Sequence, residues 1–164
     1  MMTQESVIVV VFSADKTKIL LQKREDFRIW GLPAGRVEAN ETREEAGVRE
    51  TLEETGYHIE IVDYVGEYHR PQLPNGGDKT YVFTGRAIGG SSDNHGWEAV
   101  AVDWYYPEDL PKRTVGFARE YITDALQTPL VPVQKTQLIP SWKAWIIRIG
   151  FKIRNLRNQM LGRS

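Results

Sequence analysis

The run Arg49 to Gly56, RETLEETG, constrains this chain more than any other segment. On a helix, Glu50, Glu53 and Glu54 stand at i, i+3 and i+4. Three carboxylates then leave one face, with neighbouring Cβ atoms about 5–6 Å apart. Like charges that close weaken a helix, and something must offset them. A hard divalent cation does so directly, because magnesium prefers carboxylate oxygens and keeps waters for a substrate phosphate. Taken alone, such a run is ordinarily a solvated acidic face. The residues around it decide against that.

The helix itself is well marked over Thr42 to Thr55. Thr42 caps it, Glu45 three residues later completes a capping box, and Gly56 stops it. Its weak point is the internal Gly47, which costs about 1 kcal/mol relative to Ala. Upstream, LPAGRVEANET is a glycine-containing turn that feeds the helix and sets Glu41 near its positive end.

Gly35, Glu41, Arg49, Glu50, Glu53, Glu54 and Gly56 together reproduce the spacing Gly-x5-Glu-x7-Arg-Glu-U-x-Glu-Glu-x-Gly-U, with U a bulky aliphatic residue. The chain therefore resembles the Nudix (MutT-like) hydrolases. With each residue type at roughly 7%, a chance match of seven positions is on the order of one in 10^8 per starting point. The two U positions depart from the pattern and hold Thr51 and Tyr57. Thr51 is expected to face the core, where its hydroxyl needs a partner, with the helix backbone as the nearest one. WGLPAGRVE before the box and GWEAVAVDWYYPEDL after it are also similar to the family, so the likeness spans residues 5–127. Ala34 stands where the family commonly has glycine.

The resemblance implies roles. Glu50, Glu53 and Glu54 would be metal ligands, for Mg2+ with Mn2+ as a substitute. Arg49 and Glu41 would orient the box, joined by a salt bridge, and Gly35 and Gly56 would shape it. Glu98 lies where many members place a further carboxylate, as ligand or general base. Arg24 is similar to a phosphate-contacting position, a task suited to the bidentate guanidinium fork. Trp30 would stack on a base or pack the loop. The implied activity is metal-assisted attack of water on phosphorus, with Glu53, Glu54 or Glu98 taking the proton. Members that only sense nucleotides usually lose box carboxylates, and this chain keeps all of them.

The rest of the pattern gives an α/β (α+β) class. Strands are expected at Ser6–Phe12, Lys18–Arg24, Tyr57–Tyr68, Lys79–Ile88 and Glu98–Tyr105, the first two as a hairpin. Glu25–Gly35 reads as a loop and Phe117–Leu126 as a second helix. The resemblance implies an α/β/α sandwich about a mixed sheet. Residues 1–127 are the expected hydrolase domain, and residues 128–164 a proline-containing connector and a C-terminal helical extension.

That extension differs in charge from the body. Residues 128–164 hold seven Lys or Arg and no Asp or Glu, while the remainder holds 14 basic and 22 acidic residues, a net of −8. Within the helix expected from Ser141 to Met160, Trp142, Trp145, Ile149, Ile153, Leu156 and Met160 recur at steps of three or four. Such a stripe is ordinarily buried, against a second subunit as a homodimer or against its own domain. An anionic membrane surface and nucleic acid are the further readings.

The chain has no cysteine, which excludes disulfides, thiolate zinc sites and cysteine nucleophiles. No signal-peptide pattern or long apolar run is present, and a cytoplasmic location is expected. Walker loops, Gly-x-Ser-x-Gly elbows, EF-hand loops and His-rich zinc patterns are also absent. Among substrates, ADP-ribose or another nucleotide sugar leads. In the family a proline fifteen or sixteen residues past the box hints at that class, and Pro71 and Pro74 narrowly miss the place. A nucleoside triphosphate, a damaged nucleotide or an RNA 5′ end is the alternative.

Overall fold

β1 (Glu5–Phe12) is buried on both sides, and its alternate side chains serve two different layers. Val7, Val9 and Val11 join Leu20, Ala46, Ile59, Tyr81 and Phe83 on one side. Val10 joins Ile19, Leu21, Val65, Tyr68, Val82, Tyr121 and Ile122 on the other. Period-two alternation with both faces covered is what a continuous apolar run means in a strand. The computed structural model describes residues 5–72, 79–127 and 131–160, without the side chains of Arg148, Phe151, Arg154, Asn155 and Asn158. Pro74 and Arg163 lie outside the described residues.

Around β1 stand β2 (Ile19–Arg24), β3 (Trp30–Gly31), β4 (Ala34–Arg36), α1 (Arg43–Thr55), β5 (Tyr57–His69), β6 (Lys79–Gly90), β7 (Ala99–Tyr105), α2 (Gly116–Gln127), β8 (Val133–Thr136) and α3 (Ser141–Met160). The strands form one mixed sheet in the order β3-β2-β1-β6-β5-β8, with β4 also paired to β1 and β7 to β2. The β1·β6 and β5·β8 pairs are parallel and the rest antiparallel. Ala46 of α1 belongs to the first core layer and Ala118, Tyr121 and Ile122 of α2 to the second. The sheet thus lies between two helices, as the resemblance implied.

Two expectations about strands need correcting. The β1–β2 hairpin holds only at Phe12 and Ile19. A strand has two edges: β6 takes one edge of β1 along eight residues, and β4 takes the other at Ser6–Ile8. β2 turns away and pairs with β7 instead. The segment expected as a loop, Glu25–Gly35, therefore holds β3 and the start of β4. The extended segment after α2 contains β8, an edge strand on Gly66–His69. It is fastened at the buried Asp124, where Tyr68 Oη donates to Oδ2 at 2.6 Å and the partly exposed Lys135 Nζ donates to both carboxylate oxygens at 2.8 and 2.6 Å.

α1 follows its sequence signals closely. Thr42 accepts from the Glu45 amide, Glu45 accepts from the Thr42 amide, and Gly56 closes the helix at φ 75°. Thr51 is fully buried and its hydroxyl donates to Gly47 O at 2.7 Å, the backbone partner expected for it. Gly47 also has a packing reason. A Cβ there would lie 2.9 Å from Val9 Cγ2 and 3.3 Å from Val7 Cγ2, so the missing side chain lets helix and sheet approach.

α3 spans the expected residues, but its apolar stripe does not pack on its own domain. Trp142, Trp145, Ile146, Ile149, Ile153, Leu156 and Met160 are all exposed. The attachment is made beside the stripe and behind it: Gly150 lies against the Phe27 ring and Arg157 Nη2 meets Glu25 Oε2 at 2.6 Å along its Ile146 edge, and Ala144 is buried opposite. The contacts of α3 with the Glu25–Phe27 turn therefore involve the margin of the stripe and leave its seven large side chains exposed.

Candidate active site

The turn through β4 and the N-terminal half of α1 are held together by Arg49. Its Nε and Nη2 donate to the two oxygens of Glu41 at 3.0 and 2.7 Å, and Nη2 also donates to Arg36 O at 3.0 Å. Its Nη1 reaches Glu50 Oε1 at 3.0 Å and Glu53 Oε2 at 3.4 Å. The bonds from Glu41 hold the Arg49 guanidinium's pKa well above its ordinary value, and the same bond lowers that of Glu41. Glu41 further accepts from the Glu38 amide at 2.7 Å, which closes the turn before the helix. The salt bridge expected between Arg49 and Glu41 is present.

The three box carboxylates differ in setting. Glu54 is buried, accepts from the Ala34 amide at 2.8 Å and is also bonded by the Gln22 side chain. Burial pushes its carboxyl up to about 8 despite those bonds and the nearby Arg24 charge. Glu50 is half-buried; burial raises it too, against the Arg49 bond, with Glu53 and Glu98 adding repulsion. Glu53 is mostly exposed and faces outward. Gly35 is what admits Glu50: a Cβ on Gly35 would lie 1.8 Å from Glu50 Cδ. The obstacle would be the end of a movable side chain. The Gly35→Ala protein is therefore expected to fold with little loss of stability and to lose activity about 10–100-fold, the scale for misplacing a support of a metal ligand. Thermal melts and steady-state rates on the same preparations check this.

Glu98 comes in from another part of the chain. Gly56 O accepts from the Ser91 amide at 3.1 Å, and Glu53 O accepts from the Gly96 amide at 2.9 Å, so the loop before β7 is fastened to the end of α1. Glu98 O accepts from the Glu25 amide at 2.8 Å. The Glu98 side chain is exposed, yet near enough for its charge to act on both Glu50 and Arg24. Arg24 is paired through Nε and Nη2 with Asp26 at 3.0 and 2.9 Å. Burial acts to lower its pKa, but the Asp26 bonds and the charges of Asp26, Glu54 and Glu98 raise it overall. Trp30 packs edge-on to Tyr105 with ring centres 5.0 Å apart, and Lys23 Nζ lies 5.9 Å from its ring centre. The structure thus brings Arg24, Glu98 and the box into one charged neighbourhood and places Trp30 in the packing beside it.

Two members of this neighbourhood had not been singled out. Gln22 is fully buried in β2, its amide bonded to Glu54 and its Oε1 left without a protein partner. A polar residue in the otherwise apolar start of KILLQKR was the available signal. Asp26 fixes the Arg24 fork, and only its spacing from Arg24 pointed to it.

Among the described residues no three carboxylates close round a common point as a ready-made cage. Arg49 Nη1 sits between Glu50 and Glu53 instead. The donor set nevertheless fits a hard divalent cation. It offers carboxylate oxygens, among them those of buried Glu54 and half-buried Glu50, whose charged forms desolvation disfavours and a cation would offset.

Known proteins resemble this chain in sequence and in fold. The NUDIX domain family matches residues 2–125. A Bacillus subtilis (strain 168) protein provisionally named 8-oxo-dGTP diphosphatase is 38% identical over 124 residues, 76% of this chain and 80% of that protein. An ADP-ribose pyrophosphatase of Methanocaldococcus jannaschii is 39% identical over 99 residues, 58% of each chain. In fold, a NUDIX hydrolase from Nitrosomonas europaea superposes with a TM-score of 0.69 at 20% identity, covering 80% of this chain and 94% of that one.

Proposed function

The chain belongs to the Nudix family, whose hydrolases act on phosphorus-containing anhydrides, and from that premise we propose that it is a divalent-metal-dependent enzyme cleaving the diphosphate bond of a nucleotide by attack of water on phosphorus. The observation that carries this is the placement of Glu50, Glu53 and Glu54 on one face of α1, two of them raised by burial, opposite Arg24 and Glu98. Glu50, Glu53 and Glu54 would hold magnesium, which when bound neutralises diphosphate charge and activates water. Arg49 would give up its bonds to Glu50 and Glu53 while keeping its grip on Glu41, so the box stays oriented. Arg24, held by Asp26, directs positive charge toward the substrate phosphates. Glu98 takes the proton, because it approaches from a separate loop and is the box's exposed neighbour.

Two substrate classes have support. The B. subtilis relative, similar along most of both chains, favours an oxidised purine nucleoside triphosphate. The M. jannaschii relative, similar over a shorter stretch, favours ADP-ribose, the class that also led in the sequence. We place the triphosphate first on the extent of the similarity. The test is hydrolysis by the purified protein of 8-oxo-dGTP, ordinary nucleoside triphosphates, ADP-ribose, nucleotide sugars and a 5′-triphosphate RNA, with magnesium and with chelator. Glu53→Gln, at an exposed position, is expected to remain folded and lose at least about 10²-fold in rate. Glu98→Gln should lose about 10²–10⁴-fold with magnesium affinity unchanged. Binding without turnover on every substrate would refute the enzymatic reading.

A further inference from the structure

We propose that the outward face of α3 is a docking surface for a lipid bilayer carrying anionic headgroups, which would hold the protein at a membrane surface. This proposal is independent of the substrate. The seven exposed apolar residues from Trp142 to Met160 cover about 27 Å of helix at 1.5 Å per residue. At 100° per residue they fall within an arc of roughly 100°. Gly150 and Arg157, which touch the domain, lie along one edge of the stripe, about 20–40° past Ile146, and buried Ala144 lies opposite it. The stripe is exposed along its whole length, and an apolar surface that large is rarely left in water.

Charge selects the occupant. Residues 128–164 contain no acid, and Lys143 and Lys152 are exposed on either flank of the stripe. Lys143 Nζ lies 5.3 Å from the centre of the Trp142 ring. A symmetric pairing of two such stripes would bring cations against cations with no carboxylate on either helix to offset them. Nucleic acid would use the cations and leave the tryptophans, isoleucines and Leu156 without a function. An anionic bilayer uses both: acyl chains take the stripe and headgroups take Lys143 and Lys152 on its flanks. No described helix is long and apolar enough to cross a membrane, which is consistent with a helix lying in the interface plane.

The test uses the full chain and sedimentation with vesicles of phosphatidylcholine alone or with about one-third phosphatidylglycerol. Binding is expected to the anionic vesicles, to weaken at least tenfold in 0.5 M salt, and to fall at least tenfold in both Trp145→Ser/Ile153→Asn and Lys143→Glu/Lys152→Glu. All four positions are exposed and outside the candidate active site, so hydrolytic activity and the thermal melt verify that the variants are folded. Failure to bind anionic vesicles overturns the proposal, as does binding that both variants keep. Light scattering that shows a dimer converted to monomer by Trp145→Ser/Ile153→Asn would assign the stripe to a second copy. Retention of a generic RNA 30-mer lost only in Lys143→Glu/Lys152→Glu, without vesicle binding, would assign it to nucleic acid.

Discussion

The Glu54→Gln protein should be more stable than the parent at alkaline pH and nearly inactive. Glu54 is buried on α1, and its folded-state pKa of about 8 stands far above the 4.5 of an unperturbed glutamate. Between those values the metal-free folded protein holds a proton that the unfolded chain has released. Its stability is therefore greatest below the unfolded pKa, declines as pH rises from about 4.5, and levels off above about 8. The steepest slope from one such group is about 1.4 kcal/mol per pH unit. A glutamine has no charge to bury; its oxygen accepts from the Ala34 amide and its NH2 donates to Gln22 Oε1, unpartnered in the parent, once the Gln22 amide turns over. The variant should therefore lack this decline and gain a few kcal/mol over the parent at pH 8. Thermal melts in chelator from pH 5 to pH 9 read it as a gap in Tm that widens with pH. The same substitution removes an ionisable oxygen ligand, and hydrolysis should fall by about 10²–10³-fold. A parent whose metal-free stability is flat across this range would show that Glu54 is ionised in the metal-free fold.

Gly56→Ala should be the most damaging of the single methyl additions to the loop-helix unit. Gly56 has φ 75°, a left-handed conformation that L side chains rarely adopt, and it closes α1 through its N–H to Leu52 O at 2.9 Å. A Cβ would also lie 2.3 Å from Ser91 O and 2.9 Å from Asn94 C. These are backbone atoms of the loop that carries Glu98, and they cannot rotate away as the Glu50 side chain can at Gly35. Strain of about 1–2 kcal/mol from the conformation adds to about 1–3 kcal/mol from overpacking. At this chain length the sum corresponds to a fall in Tm of about 5–15 °C. The rate should fall as well, since Glu98 moves with the loop. A variant that melts like the parent would mean that the loop shifts freely and that the Ser91 and Gly96 bonds do not set its position.

The sequence by itself determined the helix of the box, its cap and stop, the Arg49–Glu41 pair and the apolar strands. Each of these depends on residues fewer than about ten positions apart, where helical spacing, capping chemistry and alternation act directly. It also showed where α3 begins and ends and which of its residues are apolar. Only the tertiary structure decided what those local pieces meet. β1 could not reveal from its own residues that β4 and β6 would take its edges, because the edges of a strand are backbone and identical in every sequence. The burial of Glu54 under Gln22 and the Ala34 amide, the approach of Glu98 to Glu50, and the exit of the α3 stripe toward solvent all join segments that are distant in the chain. Periodicity marks a face as apolar, but what covers that face depends on which surfaces the rest of the fold leaves free.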